Sequence, residues 1–114
     1  MPKVKLYFFK DHKNIPCIDQ QDIIVFGQPK LSFIDKYYEC VYEIDEKRKI
    51  LKIEDYLRYI AQKFTFKGNP LKTKEKMKFL ESIKSHHDIL VGDIIRIDDD
   101  YYAVEYGKCQ LMKN

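Results

Sequence analysis

Two periodicities alternate along the chain. Near the start Val4, Leu6 and Phe8 alternate with Lys5, Tyr7 and Phe9, the period of two expected of a strand with one strongly apolar face. Asp11 to Asn14 reads as a polar turn. Ile15-Pro16-Cys17-Ile18 reads as a short edge segment, because Pro16 has no amide proton for a central ladder. Asp22 to Phe26 is a short β-branched run closed by Gly27 and Pro29, and predicts another strand. Alternation returns from Tyr37 to Ile44, with Tyr38, Cys40, Tyr42 and Ile44 on one side and Tyr37, Glu39, Val41 and Glu43 on the other. Asp45 to Lys49 is a charged connection.

The spacing then becomes helical. Ile53, Tyr56, Leu57, Ile60, Ala61 and Phe64 form one apolar stripe. Glu54 and Asp55 in the first turn and Lys63 in the last match the helix dipole, and Gly68-Asn69-Pro70 ends the element. A second helix is predicted from Thr73, a good N-cap, to about Ser85, with Met77, Phe79, Leu80 and Ile83 on its apolar side. After His86-His87-Asp88 the period of two resumes. Val91 to Ile97 and Tyr101 to Gly107 read as a hairpin around the acidic turn Asp98-Asp99-Asp100, and Cys109 to Met112 as a last short strand. Tyr102, Val104 and Tyr106 share one side of that hairpin.

At 114 residues the chain is expected to be one domain. Nine Tyr, seven Phe and no Trp suit half-buried pleated surfaces and favour β content. No apolar run approaches the roughly 20 residues that span a bilayer, and the first ten residues lack a signal-peptide cleavage site. The three cysteines, Cys17, Cys40 and Cys109, are widely spaced and read as free buried thiols in a reducing cytoplasm. Only three of the 21 basic residues are Arg. That balance and the abundant Ile suggest an AT-rich genome, that of a low-GC microbe or its phage. Charge is segregated: residues 45–87 carry a net +6, residues 88–114 a net −3, and residues 1–44 none.

Groups arranged for chemistry are hard to find. The Asp98–Asp100 triplet lacks the Gly and trailing Glu of a calcium loop and reads as a solvated hairpin tip. His86, His87 and Asp88 lack any spacing typical of zinc ligands. Asp11-His12 with a cysteine lacks an orienting third group. No phosphate-binding glycine motif is present, and glycine totals four. Neither cofactor nor metal is expected. The basic middle offers Lys47, Arg48, Lys49, Lys52, Lys63, Lys67, Lys72, Lys74, Lys76 and Lys78. These would attract phosphate if they converged, although Lys reads bases poorly. Lys47, Arg48, Lys49, Lys52, Lys72, Lys74 and Lys78 are the candidate nucleic-acid contacts. Tyr37, Tyr59 and Tyr101 point away from the apolar stripes and, with Asp98, Asp99 and Asp100, are the candidate protein contacts.

Tyr38–Ile44, Ile53–Phe66, Val91–Ile97 and Tyr101–Gly107 together resemble the YodL-like domain family of low-GC Gram-positive bacteria and their mobile elements. The likeness rests on Ile53-Glu54-Asp55-Tyr56, Val91-Gly92-Asp93-Ile94-Ile95 and Tyr101-Tyr102. Where that family ends in Asp-Ser-Phe-Gly-Phe, this chain has Glu105-Tyr106-Gly107-Lys108-Cys109. Residues 69–88 look inserted, and residues 1–36 fall outside the match. The resemblance implies fold and genomic origin and assigns no catalytic residue.

The expected fold is α+β: a small, twisted, mostly antiparallel sheet of about five or six strands, ending in a C-terminal hairpin, packed by one or two helices, with a small-barrel or SH3-like flavour. The expected function is non-enzymatic binding of a host protein by a phage or mobile-element product. Inhibition of a defence system such as a CRISPR nuclease is the natural task, with the Asp98–Asp100 tip as a phosphate mimic. The alternative is a nucleic-acid-binding accessory protein that uses the Lys-rich middle.

Overall fold

The computed structural model describes residues 2–66 and 68–113; Lys67, one of the basic candidates, lies outside them. Alternation at the N-terminus gives β1 (Lys3–Phe9), and β2 (Tyr38–Asp45) pairs with it antiparallel. The predicted hairpin gives β3 (Ile94–Ile97) and β4 (Asp100–Glu105), followed by β5 (Lys108–Leu111). The order is β2-β1-β3-β4-β5 with all neighbours antiparallel. The α+β class holds, but the sheet is open. The barrel-like closure expected from the hairpin does not occur, since β2 and β5 both remain edges.

Helices cover both faces. One face carries α3 (Ile53–Lys63) and α4 (Lys74–Ser82). Val4, Leu6, Phe8, Ile95 and Ile97 of the sheet pack there with Leu57, Ile60, Phe64 and Leu80. Removing such side chains from water supplies roughly 1.5–3 kcal/mol each. Thr73 caps α4 as its residue type predicts, its side chain accepting from the Lys76 amide. The end of α3 is closed by the buried Asn69, whose Nδ2 donates to the carbonyls of Phe64 (2.8 Å) and His87 (2.9 Å).

The second face overturns two expectations. Ile15–Ile18 is no edge strand, and Asp22–Phe26 is no strand. Pro16 opens the short helix α1 (Cys17–Gln20), which runs on through a wide turn over Gln21–Val25. A five-residue helix, α2 (Phe33–Tyr37), follows and takes Tyr37 out of the predicted strand. Ile15, Ile23 and Phe33 cover Phe9, Tyr38 and Ile94. The β-branched run is helical because those sheet residues need a lid, and tertiary burial outweighs intrinsic β preference.

β2 also departs from simple alternation. Leu6 pairs with Tyr42 but Tyr7 with Cys40, so Val41 is an extra, bulged residue. Side chains change face there: Tyr38 packs with the second-face lid, while Val41, Tyr42 and Ile44 pack with α3 and α4. The bulge frees the Val41 carbonyl, which accepts from Lys76 Nζ at 3.2 Å. Cys17 is exposed and Cys40 and Cys109 are half-buried, so the thiols are free but not fully buried as expected. No helix among the described residues is long and apolar enough to cross a membrane.

Candidate functional site

The acidic tip has structural work. Ile97 pairs with Asp100, leaving Asp98 and Asp99 as a two-residue loop. Asp98 takes a positive φ of 52°, which Asp tolerates better than most residues. Its Oδ1 accepts from the Lys3 amide at 3.0 Å, and its carbonyl from Arg96 Nε at 2.6 Å. Arg96 also reaches the Asp99 carboxylate at 3.6 Å and lies 5.0 Å from the Tyr101 ring. Arg96 therefore offsets part of the negative charge, and Asp98 is committed to β1. Asp98→Ala is expected to lower stability by on the order of 1 kcal/mol, whereas Asp99→Ala is expected to be neutral. Equal urea midpoints for the two variants would remove this assignment.

The other tyrosine candidates are also partly engaged. The Tyr37 hydroxyl donates to Asp19 Oδ2 at 2.6 Å, tying α2 to α1. Tyr59 is exposed on α3, with the Arg48 guanidinium 5.0 Å and Lys63 Nζ 5.8 Å from its ring. Arg48, Lys49 and Lys52 line a shallow cleft of about 540 Å³ beside it. Arg48 is half-neutralised by Glu46 at 3.3 Å. Lys72 pairs with Asp88 at 3.2 Å, and Lys76 is spent on the Val41 carbonyl. Lys47, Lys74 and Lys78 are exposed. The basic segment thus supplies one convergent group around Tyr59, while Lys72 and Lys76 serve as local ties.

The weighed chemical groupings do not converge. His86 Nε2 meets Asp93 Oδ2 at 2.6 Å, His87 offers its carbonyl to Asn69, and Asp88 meets Lys72 and Asn69. Asp11 is held by Asn14 and Lys84. Among the described residues no group of three or more His, Cys, Asp or Glu side chains is placed to hold a metal. Burial pushes the Cys40 thiol up and the Cys109 thiol up to about 11, so both stay protonated and weakly nucleophilic near neutrality.

The His86–Asp93 pair is a buried hub that sequence patterning misses. Asp93 is fully buried. Oδ1 accepts from the Phe9 amide (3.2 Å), and Oδ2 from the Leu90 amide (2.7 Å) and His86. The His86 ring stacks on Phe8 with centroids 4.7 Å apart. Next to it the Tyr38 hydroxyl donates to the Gly92 carbonyl, and burial pushes that phenol well above its ordinary range. These groups are consumed by one another and hold the start of β3 against β1 and β2.

The exposed apolar surface lies at the end of the sheet where β4 turns into β5. Tyr106, expected inside a strand, instead occupies the two-residue turn Tyr106-Gly107 and is 73% exposed. Phe66, just past α3, is 63% exposed and shares with Glu105, Gly107 and Cys109 a mostly apolar cleft of about 660 Å³. On the other face Gly27 approaches Val91 and the Glu105 backbone, which brings the exposed Phe26 to the same end; Leu90 is exposed beside Val91. A second cleft of about 710 Å³ lies on that face, between Pro29, Leu31 and Met112. The sequence signal for this surface was Phe66, a large apolar residue outside the periodic stripes; Tyr106 fell within the alternation and gave none.

No family model matches the chain, and no solved structure matches it. The chain is similar to an uncharacterized protein of Acanthamoeba polyphaga mimivirus, 30% identical over 105 residues that cover 92% of this chain and 87% of the viral one. At that identity and coverage the chain belongs to the same family as the mimivirus protein.

Proposed function

We propose that the chain is a small non-enzymatic protein-binding module that docks a host protein on the apolar end of its sheet. The observation that carries this reading is that Phe26, Phe66, Leu90 and Tyr106 are all exposed and belong to segments that meet at the β4–β5 end of the sheet. Exposed apolar side chains collected at one end of a fold mark interaction sites, and aromatic side chains supply much of the binding energy of interfaces. The non-enzymatic part is supported by the His86–Asp93 pair, already satisfied within the fold, and by the raised thiols. A viral relative is compatible with an origin in a virus or mobile element. No feature of the surface singles out a CRISPR nuclease among host partners, and the part-neutralised Asp98–Asp100 tip is a weaker phosphate mimic than three free carboxylates.

The test compares co-purification from host lysate by the native chain and by a Phe66→Ser/Tyr106→Ser variant of unchanged melting temperature. A stoichiometric host protein retained by the first and lost by the second is expected. Recovery of the same protein by both would remove the surface assignment. If the native chain instead retards oligonucleotides at low salt, and Arg48→Ala/Lys49→Ala/Lys52→Ala abolishes the shift, the function passes to nucleic-acid binding through the group around Tyr59.

A further inference from the structure

β5 is an edge strand with a cleft on each face. The Met112 amide donates to the Tyr101 carbonyl at 2.8 Å, and Glu105 pairs with Lys108 across the turn. Antiparallel strands alternate between residues bonded to the neighbour and residues whose N–H and C=O point the other way. The backbone groups of Cys109 and Leu111 therefore face outward, and among the described residues no strand pairs with them. A row of such groups is a template for another strand.

The two clefts fit the same visitor. A strand laid along β5 sends successive side chains to opposite faces. One face offers the apolar cleft lined by Leu57, Ala61 and Phe66. The other offers a cleft whose rim carries Lys30 and Lys113. Lys30 Nζ lies 5.9 Å from the Phe33 ring, and among the described residues neither cation has a carboxylate within ion-pair distance. Charge also chooses among occupants. A second copy pairing through its own β5 (Lys108–Leu111) would bring no acidic side chain of that strand to Lys30 and Lys113 and would add further cations to the edge. A helix would leave the outward amides unpaired.

We propose that the outer edge of β5 takes up an extended segment of a partner protein as a sixth strand. Apolar side chains at alternate positions occupy the α3-side cleft, and an acidic side chain between them faces Lys30 and Lys113. This rests on the protein-binding reading and names the mode of that binding as strand addition.

The probe is a phage-displayed library of random eight-residue peptides selected on the full chain, with the recovered sequences synthesised and titrated. Recovered peptides are expected to alternate apolar and acidic residues and to slow hydrogen exchange at the Cys109 and Leu111 amides. Leu111→Pro removes an outward donor and no β4 bond, and should weaken binding at least about tenfold. Lys30→Glu/Lys113→Glu should reverse the preference toward lysine-bearing peptides. Recovery of no peptide, of basic or helically patterned ones, or of peptides that leave both amides unprotected would overturn the proposal. The exchange measurement on the native chain decides even if Leu111→Pro fails to fold. A host protein that still co-purifies with folded Leu111→Pro but not with Phe66→Ser/Tyr106→Ser would end the strand-addition proposal and leave the protein-binding reading standing.

Discussion

Gly92→Ala is expected to lower the free energy of unfolding by about 3–5 kcal/mol, a large share of a total stability that is typically about 5–15 kcal/mol. Gly92 has a φ of 97°, a region that L side chains rarely adopt. Space is as restrictive as conformation. A Cβ there would overlap the carbonyl oxygen of Ile23 and sit 2.8 Å from its Cγ2. Ile23 is the buried centre of the second-face lid, and the Gly92 amide donates to the Val104 carbonyl at 2.9 Å. The methyl group must therefore push the lid off the sheet or pull β3 away from β4. Gly68→Ala is the control, because Gly68 has a similar φ of 92° but nothing within 4 Å of an added Cβ. Thermal and urea unfolding of the two variants separate backbone strain from overlap. Equal losses would show that the approach of Ile23 to Gly92 carries no cost.

That contact also shows where sequence reading stops. The α3 stripe, β1 and the β3–β4 hairpin were legible because each buries one face at its own period, and the period survives in the residues. Asp22–Phe26 was misread because its β-branched residues serve a lid whose need is set by Phe9, Tyr38 and Ile94, distant in sequence. The faces of Tyr38 and Val41 relative to Tyr42 and Ile44 were misread because one bulged residue, Val41, interrupts the alternation. Asp93 read only as part of the Val91–Ile97 strand, since its partner amide on Phe9 lies 84 positions away. The free edge of β5 exists only through the strand order, which no local pattern encodes. Tyr37 and Asp98 looked free for partners, yet each had found one within the fold.

Asp93→Ala is expected to cost about 3–5 kcal/mol, because it strands two amides and an imidazole around a buried void. The amides of Phe9 and Leu90 would keep no acceptor, and His86 would keep its stack on Phe8 but lose its anchor. Asp93→Asn keeps the volume and one acceptor oxygen, so it should cost less and, in addition, change how stability varies with pH. Burial pushes the Asp93 carboxyl above its ordinary range, with His86 and the two amides pulling the other way. A folded pKa raised above the unfolded value of about 3.9 contributes stability that is complete below the unfolded value and is lost as pH rises through the folded one. Asn carries no such dependence. The native chain should therefore lose ground relative to Asp93→Asn as pH climbs from below about 4 through the raised folded value of Asp93. Urea midpoints of both proteins, measured at intervals across that rise, give the difference directly. A difference that stays flat, or that grows in favour of the native chain, would mean that the three donors around Asp93 outweigh its burial and that the hub is held as an ion pair.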